Sequence, residues 1–144
     1  MASEEEKRTT EGVDIVLHLN PDQAKETMKA VELLLRLKLN QYNEIPFALL
    51  NLSDEDFCAK RDEAEPHLKL AFEALYKGKK DNEWKDSEWY RLYNLFQVLR
   101  KCVNDVEHPF DCKTSNEYTI FRFTEEPLPR CEIVRPESDD HPEN

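Results

Sequence analysis

Apolar and polar positions alternate most regularly near the start of the chain. In VDIVLHL, residues 13–19, Val13, Ile15, Leu17 and Leu19 share one face, with Asp14, Val16 and His18 on the other. This period of two predicts a strand with one buried side. Asn20 and Pro21 then stop the alternation and supply a cap and a first helical residue, with Asp22 at the positive end of the helix dipole. The helix is expected to run to about Asn40. It would bury Ala24, Met28, Val31, Leu34 and Leu35, with Glu32 four residues before Arg36. LLLRLKLN at its end also reads as alternating, and the length of the periodic run decides for helix.

The next stretch is punctuated. Ile45 and Pro46 read as a break, and Ser53 with Asp56 resembles a capping box that starts a helix at Asp54. Pro66 is expected to divide this region into a short helix ending near Arg61 or Glu63 and a second from Glu65 to Lys77. Leu68, Ala71, Phe72 and Leu75 would face inward, and Gly78 would cap the C-terminus. After the loop KGKKDNEWKD comes the strongest helical period, with Trp89, Leu92, Tyr93, Phe96, Leu99, Val103 and Val106 on one stripe. Leu95, Val98 and Cys102 form a second stripe beside it, which predicts a central helix ending at His108 and Pro109.

Beyond Pro109 the period returns to two. Residues 118–124 and 131–135 read as strands joined by TEEPLPR, a longer loop with two prolines and no glycine. The pattern predicts an α+β fold: a small, partly antiparallel sheet of about three strands (13–19, 118–124 and 131–135) covered by three to four helices. An all-α bundle with an extended C-terminal arm is the alternative. Residues 13–135 form the single expected domain, between a disordered segment at 1–12 and an acidic disordered tail at 136–144.

Charge changes the picture of partners. The formal net charge of -11 repels phosphate backbones and anionic lipid, so neither nucleic acid nor a membrane is an expected direct partner. Seven acids against Arg130 and Arg135 lie in residues 125–144, and six against Lys60 and Arg61 in residues 54–65. Only Gly12 and Gly78 occur in the chain, which excludes glycine-dependent phosphate loops, dinucleotide turns and nucleophile elbows. No apolar run is long enough to span a bilayer, and the first residues lack a secretory pattern. An intracellular, cytoplasmic chain with Cys58, Cys102, Cys112 and Cys131 reduced is the expectation.

Candidate chemistry is sparse. Cys102, His108, Cys112 and Cys131 are residue types that zinc takes, yet Cys102 and His108 stand six apart. On a helix that is a rotation of about 600°, and no close cysteine pair is present. Cys102 reads instead as a core thiol. No cysteine has the electropositive setting a nucleophile needs, and no cofactor motif appears. His18 or His67 beside carboxylates would mark an enzyme of unfamiliar type. Trp84, in a polar loop, and Tyr90, on the flank of its helix, are candidate interface anchors. Asp54, Glu55 and Asp56 are candidate interface acids. The sequence therefore points to a non-enzymatic, acidic protein-binding module or small regulatory factor with a protein partner. The alternative is a DNA mimic that inhibits a nucleic-acid-binding protein through the acids of 54–65.

Overall fold

A computed structural model of the chain describes residues 12–80, 83–108 and 120–136. Four helices account for the regular structure among these residues: α1 (Pro21–Lys38), α2 (Glu44–Leu49), α3 (Phe57–Leu75) and α4 (Ser87–Glu107). None of the described residues lies in a strand. The expected α+β sheet is therefore overturned, and the all-α arrangement with a C-terminal arm fits. The physical reason lies in what alternation encodes. A period of two specifies which side chains share a face, but a sheet also needs a neighbouring strand to satisfy its backbone. Residues 13–19 are exposed and find no such neighbour among the described residues. Residues 120–124 bond to helix side chains instead, and 131–135 are exposed. Residues 118 and 119 of the second expected strand, residues 1–11 and the tail at 137–144 lie outside the described residues.

α1 forms where its local signals place it. The Asn20 side chain accepts from the Gln23 N–H at 2.8 Å, and the Gln23 side chain accepts from the Asn20 N–H at 3.0 Å, a reciprocal capping box. At its far end Asn40 takes φ 64°, so that the N–H groups of Asn40 and Gln41 reach back to the carbonyls of Leu37 and Arg36. This is a Schellman ending built on asparagine, the residue that best stands in for glycine at positive φ in a glycine-poor chain.

α1 and α4 run antiparallel. Lys25 near the start of α1 pairs with Glu107 at the end of α4 at 2.8 Å, and Lys38 at the end of α1 pairs with Glu88 at the start of α4 at 3.4 Å. Between these ends Leu35, Trp89 and Phe96 form the buried core, flanked by Met28, Val31, Leu39, Tyr90, Leu92 and Tyr93. The Trp89 indole N–H donates to the Leu35 carbonyl at 3.2 Å, so the largest core side chain is satisfied while buried.

α2 and α3 differ from the expected breaks. Pro46 sits in the first turn of α2, where a missing N–H costs no helical hydrogen bond. α3 runs unbroken through Pro66. Pro66 and Asp62, four residues earlier, both lie on the exposed side, which leaves the carbonyl that Pro66 cannot bond facing water. The start of α3 also moves: Ser53 bonds Asn51, and Asp56 precedes the helix without a side-chain cap. α3 packs on α2 through Phe57 and Phe47, whose rings stand 5.4 Å apart. Its far end reaches α1 through the Tyr76 hydroxyl, which donates to the Leu37 carbonyl.

Candidate functional site

The polar chemistry that the fold brings together lies along α4. Asn94 and Gln97 lie outside its apolar stripes, stand one turn apart on the same face and are nevertheless only 3% and 2% exposed. Buried amides must be paired, and here their partners belong to the arm. The Gln97 side chain donates to the Phe121 carbonyl at 2.9 Å and accepts from the Phe121 N–H at 3.0 Å. The Asn94 side chain accepts from the Phe123 N–H at 3.2 Å and donates to the Thr124 hydroxyl at 2.9 Å. Two helix side chains thus do for this segment what a neighbouring strand does in a sheet.

The arm runs antiparallel to α4 past these amides. At Glu126 it meets Arg91, whose guanidinium donates twice to one carboxylate oxygen, at 2.7 and 3.1 Å, and once to the other at 3.1 Å. These hydrogen bonds hold Glu126 below, and Arg91 above, their ordinary pKa values. The arm then doubles back. The eleven residues from Arg91 to Cys102 span about 16 Å of helix, a distance that five extended residues from Glu126 to Cys131 can cover. Cys131 and Cys102 are joined in a disulfide, with Cα atoms 6.3 Å apart.

This disulfide corrects the expectation of reduced thiols in a cytoplasmic chain. Cys102 does sit on a helical stripe, but the returning arm places Cys131 within bonding distance of it. Both sulfurs are consumed, so neither is a thiolate ligand or nucleophile in this state. Cys58 is free and exposed, His108 is the exposed C-cap of α4, and Cys112 lies outside the described residues. No cluster of His, Cys, Asp and Glu able to hold a metal occurs among the described residues.

The anchors singled out from sequence sit apart from one another. Trp84 is half-buried and packs edge-on against Tyr76 at 5.3 Å. Tyr90 joins the core, at 5.2 Å from Trp89, and stacks on Phe123 of the arm at 5.7 Å. Asp54, Glu55 and Asp56 are exposed at the α2–α3 turn. Lys60 bonds Asp56 at 2.9 Å, which lowers the Asp56 pKa and raises that of Lys60. His18 is exposed in the segment before α1. His67 lines a shallow depression on α3 with Lys60, Glu63, Ala64 and Leu68. That depression is open to solvent and draws on a single helix, so it brings no groups together from different elements to exclude water around a reacting atom.

Sequence reasoning missed Asn94 and Gln97. The sequence hides them: the two amides share a helix face with Lys101, Asn104 and Asp105, which reads as the solvent side, and only the arm packed over that face buries them.

No helix among the described residues is long and apolar enough to cross a membrane. Comparison of the chain with protein-family models, with curated proteins and with solved structures gives no match in any of the three.

Proposed function

We propose that this chain is a non-enzymatic, acidic protein-binding module whose working surface is the outer side of α2 and α3. One observation carries the reading: of the nineteen residues of α3, only Phe57 is buried. A helix that leaves leucines in water among charged residues is a surface that a second protein can cover. Leu70 and Leu75 stand in water at 66% and 71% exposure. Phe47 and Leu49 of α2 and Leu52 of the α2–α3 turn are exposed as well, and Asp54, Glu55 and Asp56 follow in the same turn. Apolar anchors next to a charged rim are the usual composition of a protein interface. The negative rim favours a partner with basic residues around an apolar groove.

The mimicry of nucleic acid draws less support. It needs free carboxylates in a fixed array, whereas within residues 54–65 Asp56 pairs with Lys60 and Asp62 with Arg61.

The test starts from proteins captured by the full chain and reconstituted with it from purified components. A Leu49→Asp/Leu52→Asp double variant should lose the partner while retaining the helical circular dichroism and melting behaviour of the parent. Undiminished binding by that variant, and by Leu70→Asp/Leu75→Asp, refutes the surface. Complexes that dissolve steeply with salt and survive both variants favour the mimic.

A further inference from the structure

Residues 13–19 are the strongest strand pattern in the sequence and remain unpaired among the described residues. Ile15 is 94% exposed, and Val13, Val16 and Leu17 are exposed beside it. A row of apolar side chains with open backbone donors and acceptors is a template for another strand. The order of residues says which strand.

VDIVLHL is symmetric about Val16. Reversed and laid antiparallel against itself with Val16 opposite Val16, it places Val13 opposite Leu19, Ile15 opposite Leu17, and Asp14 opposite His18. Every cross-strand pair is then apolar with apolar or acid with imidazole, and each occurs twice except the central one. A shift by one residue sets Asp14 against an aliphatic side chain and destroys the match.

The boundaries are symmetric too. Gly12, at φ +76°, turns the chain immediately before Val13. On the other side the Asn20 N–H is committed to the Gln23 side chain and Pro21 has no N–H, so a ladder cannot extend past Leu19. Seven residues are available, and the symmetry centre is the middle one.

The geometry points to a second copy of this chain as the occupant: two copies associate through antiparallel pairing of residues 13–19, on a two-fold axis through Val16. This interface is separate from the α2–α3 surface and does not depend on it. The pairing is isologous: the same seven residues contribute from both copies. A two-stranded ribbon alone is marginal in water, so the dimer is weak and concentration-dependent.

Sedimentation equilibrium of the full chain tests it. The mass is expected to rise from 17.1 kDa toward twice that value between about 10 µM and 1 mM, the range of a weak isologous contact. Ile15→Pro/Val16→Pro, which removes a donor from each edge of this exposed segment, should stay monomeric with unchanged helix content. Asp14→Lys should weaken the dimer about 2- to 30-fold, because both copies of the Asp14–His18 pair are lost. Adding His18→Glu to Asp14→Lys should restore it. Isotope-filtered spectra of a mixed sample should show contacts between Ile15 of one copy and Leu17 of the other. A parent that remains monomeric at about 1 mM overturns the proposal, as does a dimer that survives Ile15→Pro/Val16→Pro or shows a different register.

Discussion

Cys131→Ser gives the sharpest test of how the arm is held. The side chain is exposed, so the substitution removes the bond to Cys102 while leaving little packing to lose. The cross-link joins residues separated by 29 positions. In the chain-entropy account, closing a loop of that size in the unfolded chain is worth about 3.6 kcal/mol. A chain of this length loses about 2–4 °C of melting temperature per kcal/mol, so the variant is expected to melt about 7–14 °C lower. Most of the effect acts on the unfolded ensemble, which expands once the link is gone. The urea dependence of unfolding should therefore steepen as the midpoint falls. Asn94, Gln97 and Arg91 still engage the arm, so hydrogen exchange at the Phe121 and Phe123 amides should quicken without becoming that of free peptide. Urea unfolding of the parent and Cys131→Ser, read by circular dichroism, measures the difference. A loss below about 1 kcal/mol with an unchanged slope would show that the link does not constrain the chain as argued.

Three further outcomes are expected. Leu35→Ala, at the buried contact between α1 and α4, should cost about 2–5 kcal/mol in urea unfolding, and a smaller cost means that the two helices close over the gap. Gln97→Ala removes both hydrogen bonds to Phe121, worth about 1–3 kcal/mol together, and should abolish protection of the Phe121 amide while leaving the middle of α1 protected. Acid should loosen the arm: the Glu126 pKa is lower in the folded chain than in the unfolded one, so its contribution is complete above the ordinary carboxylate value of about 4.3 and is lost as pH falls through the lowered value. The Glu107 link to Lys25 and the Asp56 link to Lys60 weaken in the same direction, and Glu126→Gln should flatten the acid response of the arm resonances in an NMR titration.

The features legible in the sequence are those that a few neighbouring residues decide. Asn20, Pro21 and Gln23 set the start of α1 through contacts no more than three residues long. The stripe from Trp89 to Val106 announces α4, and the end at His108 follows from the proline after it. Proline was the local signal that misled. Whether it breaks a helix depends on where the orphaned carbonyl faces, and at Pro46 and Pro66 first-turn position and exposure remove the conflict. The charge of Asp54, Glu55 and Asp56 is plain in the sequence, whereas the exposure of Leu70 and Leu75 on α3 is not, because it depends on which other helices pack against α3.

What tertiary structure alone decided is pairing. Period-two alternation in residues 13–19 and 120–124 fixed which side chains share a face, but the presence of a partner strand is a property of the assembled chain. The sheet inferred from that alternation therefore does not form among the described residues. The arm instead meets Asn94 and Gln97 across sequence separations of 24 to 30 residues, and Cys131 meets Cys102 across 29. Contacts at such range depend on how the helices pack and where the arm turns, and residue spacing encodes neither.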